Sequence, residues 1–468
     1  MSKLKVRPIT LILFLSLFLS VPKVSIAAEI SEDLEANILK RIEWNMIPGL
    51  IIGIVDEQGM RHYGYGEVTL DEGLKPDKDT VYEIGSITKT FTSTILSDMS
   101  LKEEVSLNDP VQSLLPDSVE VPQRKGKQIS LVQLSTHRSS LPRMPSNFSP
   151  ENPKNPYADY TVQNMYDFLS SYTLKRNIGK KSEYSNLGYG LLGHALALQA
   201  ETTYETLVSE RILRPLSMDS SGINFTDSMS ERLATPYAVR NGALSKDENW
   251  DIASLAGAGA IRSTTDDMLK YLSANIGLLD SPLRSAMKLA QESREEMSDG
   301  SDKIGLGWIV SKKGNDFYHW HNGGTGGYRA FIGMSIENKR GVVVLTNSTS
   351  SIDDIGFHLL NPNYSLNEPE LQKERIEINL PEDQLQKLVG SYRLTRNFTI
   401  KFTVENGRLY GQGTDQPRFE VFAESPTQFF WKDVDAQVTF ELDENDVGSR
   451  MTLHQNGRNL SGKKLKSE

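Results

Sequence analysis

Residues 81–91, with the sequence VYEIGSITKTF, carry the pattern that most strongly indicates the fold of this chain. An apolar lead-in ends at Gly85, and apolar side chains then recur along one side of the chain beyond Ser86. Positions three apart share one face of a helix, so Ser86 and Lys89 would point the same way. We therefore predict a buried helix that begins at Ser86, with a hydroxyl and an amine one turn apart.

A serine beside a lysine suits nucleophilic catalysis. A serine hydroxyl is a weak nucleophile until a base takes its proton. A lysine can take that proton only as a neutral amine, which requires burial or nearby cations to lower its pKa. Ser-x-x-Lys occurs five times in the chain, but only the copy at Ser86 lies in an apolar setting at a predicted helix start. For any single copy the alternative is a solvated surface pair.

The first residues have the pattern of a secretory signal peptide. Basic residues precede an apolar run over 9–21, and small residues follow at 25–28. We expect cleavage after Ala27; an uncleaved anchor is the alternative, although the run is short for a spanning helix. Export would place the protein in the periplasm of a bacterium or outside the cell, with no transmembrane anchor left after cleavage.

Charge and cysteine content restrict the partners. The net charge is −10, and loss of the four basic residues in 1–27, a segment without acidic residues, would make it −14. An acidic protein is a poor partner for nucleic acid or an anionic membrane surface. The chain has no cysteine, which excludes disulfides, thiolate metal sites and a cysteine nucleophile.

The predicted elements indicate an α+β fold. An amphipathic helix over 29–47 and a strand hairpin over 49–68 precede the Ser86 helix. Consecutive strands over 304–347 predict an antiparallel meander. We expect an antiparallel sheet flanked by helices, with an inserted, mainly helical subdomain and a small all-β barrel domain after it.

The pattern of the chain changes after residue 361. A polar, proline-containing stretch is followed by seven predicted short strands, with hairpin turns at Asn406-Gly407 and Asn456-Gly457. This predicts a separate barrel or closed sandwich. We accordingly divide the chain into a signal peptide (1–27), a catalytic domain (28–361), a linker (362–383) and a C-terminal β-barrel-like domain (384–468).

Two further motifs follow the serine along the chain. Tyr184-x-Asn186 precedes an apolar helix 98 residues after Ser86, and its alternative role is a helix cap with a half-buried tyrosine. His321-x-Gly323, with Gly324 next to it, ends a predicted strand 137 residues further on.

Other stretches of the sequence also bear on the site. The loop 140–159 carries five prolines and is either a rim of the site or a plain surface excursion. The small-residue run 253–261 indicates close approach of the backbone. We expect His137 to be a hydrogen-bonded structural residue rather than a catalytic one. A metal site at His319-x-His321 would lack a third ligand nearby in the sequence.

Together, Ser86-x-x-Lys89, Tyr184-x-Asn186 and His321-x-Gly323 resemble the serine penicillin-recognising family. The Tyr-x-Asn motif is similar to that of its class C β-lactamase-like branch, with low-mass penicillin-binding proteins, D-amino-acid peptidases and esterases as relatives. The resemblance covers about residues 30–350, and residues 384–462 resemble a β-barrel appendage of some members.

This resemblance implies roles for the motif residues. Ser86 would form an acyl-enzyme, while Lys89 and Tyr184 would share the proton, each lowering the pKa of the other. Asn186 would hydrogen-bond to Lys89 and to a substrate amide. The N–H groups of Ser86 and Gly324 would form an oxyanion hole.

The strand motif departs from the family pattern. Class C β-lactamases usually have Lys-Thr-Gly where this chain has His321, Asn322 and Gly323. A histidine is only partly charged near neutral pH and is a weaker anchor for a substrate carboxylate. Glycines such as Gly323 and Gly324 would let a substrate backbone lie along the strand.

This departure favours a D-alanyl-D-alanine carboxypeptidase or endopeptidase that acts on cell-wall stem peptides. A β-lactamase and an esterase are alternatives within the family, and a non-catalytic protein that binds peptidoglycan or another ligand is the alternative outside it. We expect a peptide, β-lactam or ester as substrate, and no cofactor or metal.

Overall fold

A computed structural model describes residues 30–297, 300, 302–371, 375–395, 398–414, 416, 418–432, 436–455 and 458–465. The signal peptide predicted at 1–27 and the turn predicted at Asn456-Gly457 lie outside the described residues. Among the described residues, no helix has the length and apolar character needed to cross a membrane.

The first part of the chain is built on one antiparallel sheet. Its strand order is β2-β1-β12-β11-β10-β9-β8-β7, so the meander predicted over 304–347 is confirmed. Two short pairs, β3 with β6 and β4 with β5, lie outside this sheet. The strands before residue 361 are β1 (Gly49–Asp56), β2 (Gly59–Gly66), β3 (Tyr82–Glu83), β4 (Tyr237–Arg240), β5 (Ala243–Lys246), β6 (Arg262–Ser263), β7 (Glu295–Glu296), β8 (Lys303–Ile304), β9 (Ile309–Lys313), β10 (Asp316–Gly324), β11 (Arg329–Ser335) and β12 (Arg340–Thr346).

Helices cover both faces of the sheet and form the inserted helical subdomain. They are α1 (Glu32–Glu43), α2 (Thr88–Leu101), α3 (Leu131–Ser135), α4 (Val162–Ser171), α5 (Asn186–Gln199), α6 (Tyr204–Val208), α7 (Asp227–Ser230), α8 (Thr265–Ile276), α9 (Arg284–Gln291) and α10 (Asp353–Leu360), whereas α11 (Glu382–Gln386) packs on the C-terminal strands. Along β1, Leu50, Ile52 and Ile54 pack with α1 and α10, whereas Ile51 and Val55 join the core with α2 and α8. This alternation follows from the two-residue period of a strand.

The small-residue run predicted to approach other backbone closely does so. It includes a 3-10 turn at Ala256–Ala258, which packs against α5. A Cβ on Gly257 would lie 2.7 Å from Tyr189 O, and one on Gly193 would lie 2.8 Å from Gly257 Cα. Side chains at these two positions would separate the run from α5, which is the physical reason for glycine there.

The C-terminal strands form a closed barrel in chain order. They are β13 (Gly390–Thr395), β14 (Phe398–Glu405), β15 (Arg408–Gly413), β16 (Arg418–Ala423), β17 (Gln428–Phe430), β18 (Ala436–Leu442), β19 (Gly448–Gln455) and β20 (Arg458–Lys464). Side chains fill the barrel interior: Phe402, Val421 and Trp431 surround Gly411, where a Cβ would lie 2.9 Å from the Trp431 ring. The barrel therefore has its own apolar core.

The chain between the sheet and the barrel contacts both. Asn367 O accepts hydrogen bonds from Asn37 and Arg41 of α1. Further on, Ile378 pairs with Ala423 of β16, and Leu385 of α11 joins the barrel core. The polar stretch recognised in the sequence is thus attached to α1 by side-chain donors and to the barrel by a backbone hydrogen bond.

A buried ion pair joins the first helix to the last helix of the sheet region. Arg41 Nη2 lies 2.6 Å from Asp354 Oδ2, and the two side chains are only 5% and 7% exposed. We expect Arg41→Met to lower the free energy of unfolding by about 3–5 kcal/mol, because it leaves a buried carboxylate without its partner. Urea denaturation of the full chain measures this loss.

The exposed pair Lys339–Glu57 provides a control with the same 2.6 Å separation. Lys339→Met should change the free energy of unfolding by at most about 1 kcal/mol. The double variant Arg41→Met/Asp354→Leu should lose less than the sum of its single variants. Equal losses at Arg41 and Lys339 would contradict the assigned importance of the buried pair.

Candidate active site

The predicted nucleophile lies where β3 passes into α2. Gly85 has φ = +49°, a left-handed conformation that suits glycine, and Gly85–Ile87 form a 3-10 turn before α2. The regular helix thus begins two residues later than predicted, at Thr88. Ser86 is half-buried on this turn, with its side chain beside that of Lys89.

Lys89 is fully buried directly behind the serine. Its Nζ lies 2.9 Å from Ser86 Oγ and donates a hydrogen bond of 2.6 Å to Ala258 O in the small-residue run. Burial, with a contribution from the Arg143 guanidinium, lowers the Lys89 pKa well below its usual value. The site therefore favours the neutral amine, the form able to accept a proton from Ser86.

Tyr184 completes the cluster around the serine hydroxyl. Its side chain is hydrogen-bonded to Ser86, and Lys89 Nζ lies 4.8 Å from the centre of its ring. The expectation that Lys89 lowers the Tyr184 pKa is wrong: burial raises it to about 12. A tyrosine with this pKa keeps its proton near neutral pH.

His137 holds the tyrosine turn in place. Its ring centre lies 4.4 Å from that of Tyr184, and its Nδ1 accepts a 3.1 Å hydrogen bond from Ser185 N. Burial lowers the His137 pKa well below its usual value. A neutral histidine that accepts this bond has the structural role expected from the sequence.

Asn186 begins α5 next to these residues. Its Nδ2 lies 3.9 Å from Met144 Sδ, and its buried Oδ1 accepts no hydrogen bond from the described residues. The expected bond to Lys89 is absent among the described contacts, because Lys89 Nζ is directed to Ala258 O and Ser86 Oγ. A buried amide oxygen without a partner is available to a substrate N–H group.

The glycine-containing end of β10 lies against the serine turn. A Cβ on Gly323 would collide with Ile84 O and lie 3.2 Å from Ser86 N, while one on Gly85 would lie 2.6 Å from Gly324 N. Strand β9 pairs with β10 only as far as Trp320. The adjoining edge of β10 therefore faces the catalytic turn instead of another strand.

His321 is buried at this strand end. Its Nδ1 donates a 2.6 Å hydrogen bond to Asn322 O, and its ring centre lies 6.3 Å from that of Tyr184. Burial lowers its pKa to about 3. His321 is thus neutral near pH 7 and gives a substrate carboxylate less charge than the partial protonation expected from the sequence.

The proline-rich loop 140–159 borders the site. Asn152 Nδ2 donates to Glu248 Oε2 at 2.7 Å, and Asn155 Nδ2 donates to Asp251 Oδ2 at 2.8 Å, joining this loop to the segment before the small-residue run. The loop also carries Arg143, whose Cζ lies 5.0 Å from the centre of the Tyr184 ring. Sequence reasoning identified the loop but not this residue.

The seven residues expected at the site therefore come together in the structure. They are Ser86, Lys89, Tyr184, Asn186, His321, Gly323 and Gly324. Among the described residues, no group of three or more His, Cys, Asp or Glu side chains is able to hold a metal ion. The amine of Lys89 and the phenol of Tyr184 both lie within hydrogen-bonding reach of the Ser86 hydroxyl, an arrangement that can supply a nucleophile, a base and a proton donor.

Comparison with known proteins identifies the family to which this chain is similar. A family model described as Beta-lactamase matches residues 34–358, and a model described as a domain of unknown function (DUF3471) matches residues 374–464. The D-alanyl-D-alanine-carboxypeptidase/endopeptidase AmpH of Escherichia coli strain K12 is 29% identical over 314 residues, which cover 64% of this chain and 80% of AmpH.

Solved structures agree with this assignment. The beta-lactamase/D-alanine carboxypeptidase from Yersinia pestis, complexed with citrate, is 26% identical with a TM-score of 0.60, covering 68% of this chain and 92% of its own. The octameric penicillin-binding protein homologue from Pyrococcus abyssi shares the fold at 22% identity and a TM-score of 0.64, covering 92% and 99%. With a family model matching more than half of its length, the chain belongs to the beta-lactamase family.

Proposed function

We propose that this chain is an exported serine hydrolase of the D-alanyl-D-alanine carboxypeptidase/endopeptidase type, acting on cell-wall peptides through an acyl-enzyme at Ser86. The observation that carries this proposal is the 2.9 Å approach of Lys89 Nζ to Ser86 Oγ in a buried setting that favours the neutral amine. Membership of the beta-lactamase family and the activities named for the E. coli and Y. pestis relatives support it.

The proposed reaction begins with attack of Ser86 Oγ on the carbonyl carbon of the scissile amide. The serine proton passes to Lys89 Nζ as the C–O bond forms, and the carbonyl oxygen becomes an oxyanion. The N–H groups of Ser86 and Gly324 would donate to this oxyanion, a contribution of roughly 3–4 kcal/mol per donor. Lys89 then carries the positive charge.

Breakdown of this intermediate requires a proton on the leaving amine. Tyr184 keeps its proton near neutral pH because burial raises its pKa to about 12. In our proposal Tyr184 donates that proton as the C–N bond breaks, and protonated Lys89 restores it. Water then attacks the ester at Ser86 and gives one proton to Lys89; as the bond between the acyl carbon and Ser86 Oγ breaks, Lys89 returns that proton to Ser86 Oγ, and the carboxylic acid product leaves.

The open edge of β10 supports a peptide as substrate. An extended peptide can add as a strand to an unpaired edge, and the edge that faces Ser86 ends in Gly323 and Gly324. Neutral His321 is a weak partner for a substrate carboxylate, a group that a β-lactam and the terminal D-alanine of a carboxypeptidase substrate both carry, so this residue does not separate the two activities. A β-lactamase and an esterase are alternative functions that would use the same acyl-serine chemistry. A binding protein without catalytic activity is the alternative that would not use it.

Export and domain division are further parts of the proposal. The sequence pattern at 1–27 supports a cleaved signal peptide and a periplasmic or secreted protein. The sheet and the barrel have separate apolar cores, which supports a catalytic domain at 28–361, a linker at 362–383 and an appended domain at 384–468.

Covalent labelling tests the nucleophile directly. Incubation of the full chain with a fluorescent penicillin, followed by peptide mass spectrometry, should place one acyl adduct on Ser86, and Ser86→Ala should abolish it. Ser285→Ala is the matched control, because Ser285 belongs to another Ser-x-x-Lys copy but is exposed on α9. An adduct on any residue other than Ser86 would remove the assignment, and labelling without turnover of any ester or peptide would favour the binding protein.

Lys89 and Tyr184 should behave as one proton-transfer unit. Lys89→Ala and Tyr184→Phe should each lower the acylation rate by about 10²–10⁴-fold, the usual range for general acid–base catalysis. The double variant should be nearly as active as either single one, since residues that act together are strongly non-additive. Stopped-flow acylation by a chromogenic β-lactam measures all three, and full activity in folded Tyr184→Phe would contradict the mechanism.

The pH dependence of acylation should follow Lys89. Because the Lys89 pKa is lowered, kcat/KM for a neutral ester should rise with pH as the lysine loses its proton and level off well below 10.5, the usual lysine value. Burial lowers the His321 pKa to about 3, so this histidine does not titrate in a scan that we set between pH 5 and 9. His321→Gln should therefore leave the midpoint of the rise unchanged. A midpoint at or above 10.5 would show that Lys89 rests in the protonated form.

A further inference from the structure

The basic side chains around Ser86 differ in their state of charge. Burial lowers the pKa values of Lys89, His137 and His321, each well below its ordinary value. A guanidinium stays protonated at any pH at which proteins are folded. Arg143 is therefore the side chain that brings a permanent positive charge to the Tyr184 side of the site.

The backbone of Arg143 is fixed, while its side chain is exposed. The Arg143 carbonyl accepts hydrogen bonds from Asn186 N at 3.0 Å and Leu187 N at 3.2 Å, which ties the loop to the start of α5. The guanidinium carbon lies 5.0 Å from the centre of the Tyr184 ring. The charge is thus held at the mouth of the site, next to the residue that contacts Ser86.

Arg143 has no acidic partner among the described residues, whereas neighbouring arginines have one. Arg138 lies 3.2 Å from Glu295, and Arg176 pairs with Glu183. The Arg143 guanidinium lies over the face of the Tyr184 ring. Its hydrogen-bond donors remain available to an anion from solution, and a guanidinium is well shaped to bind a carboxylate through two parallel bonds.

A second arginine near the strand end lies on the other face of the sheet. A Cβ on Gly324 would collide with the Arg329 guanidinium, whereas one on Gly323 would point at the serine turn. Successive residues of a strand point to opposite faces. Arg329 also donates to the carbonyls of Tyr328 and Thr325, at 3.2 and 3.4 Å, so it is directed away from Ser86.

We propose that Arg143 forms a subsite for a carboxylate on the acyl portion of the substrate, so that the enzyme prefers acyl donors with a free acid over neutral ones. The acyl side follows from Asn186, whose unpartnered Oδ1 we assign to the acyl amide and whose backbone is bonded to Arg143. This subsite rests on the proposed function, because it presupposes acyl transfer to Ser86.

Matched esters test the subsite on the full chain. The first pair is 4-nitrophenyl hydrogen glutarate and its neutral methyl ester, which share a leaving group and differ in one acyl carboxylate. In Arg143→Gln, the ratio of kcat/KM for acid over methyl ester should fall by about 10–100-fold, the size expected for loss of charge-assisted hydrogen bonds. Taking the ratio cancels any effect that the substitution has on Lys89 or Tyr184.

Two further variants separate charge at this place from charge in general. Arg143→Lys should keep the ratio within about fivefold of the wild type, because the charge remains while the paired bonds are lost. Arg214→Gln removes one positive charge from an exposed side chain on another part of the surface and should leave the ratio unchanged.

A second pair of esters, 3-acetoxybenzoate and its methyl ester, carries the carboxylate on the leaving group instead.

The outcomes distinguish this subsite from the proposed function. An unchanged ratio in Arg143→Gln, or a wild type that hydrolyses both glutarate esters equally well, would overturn the subsite while leaving the hydrolase in place. A fall confined to the acetoxybenzoate pair would overturn the acyl-side assignment. Failure of the wild type to hydrolyse any of these esters or to acylate Ser86 would overturn the proposed function and the subsite together.

Discussion

Lys89 Nζ sits out of contact with solvent, between Ala258 O and Ser86 Oγ, and much of the catalytic fold is arranged to keep it there. Burying an ammonium ion without a carboxylate partner costs several kcal/mol, so this environment favours the neutral amine. Carbonyl 258 reaches the amine only because the small-residue run passes close to α5, at Gly257 and Gly193. The environment of this amine thus depends on backbone packing between segments far from it in sequence.

The same burial acts on the other titratable groups of the site. Tyr184 keeps its proton, and His137 and His321 are uncharged near neutral pH. In a site of largely neutral groups, a proton can be accepted and returned without the free-energy cost of first separating an existing pair of opposite charges. The permanent charge then lies at the rim, on Arg143, where it can act on a substrate while staying hydrated.

Local patterns predicted much of this arrangement. The three-residue spacing of Ser86 and Lys89 is a property of one helix turn, and the meander of strands is visible in alternating apolar residues. Arg143 escaped prediction because its loop has no periodic pattern and its contact with Tyr184 spans 41 residues of sequence. The direction of the Tyr184 pKa shift was predicted wrongly, since it depends on burial by distant segments. Strand β20 was missed because its sequence, RNLSGKK, is largely polar.

The closed C-terminal barrel has a consequence for how this part of the protein can meet other molecules. A closed ring of strands leaves little backbone for strand addition, and Ile378, which pairs with Ala423 of β16, occupies one such place. Its interior is filled, which leaves the outer side chains as the means of contact. That outer surface carries ion pairs such as Arg408–Glu420 and Lys432–Glu377. Exposed charges are screened within about 8 Å at physiological salt, so ionic contacts made through this surface would weaken as the ionic strength rises.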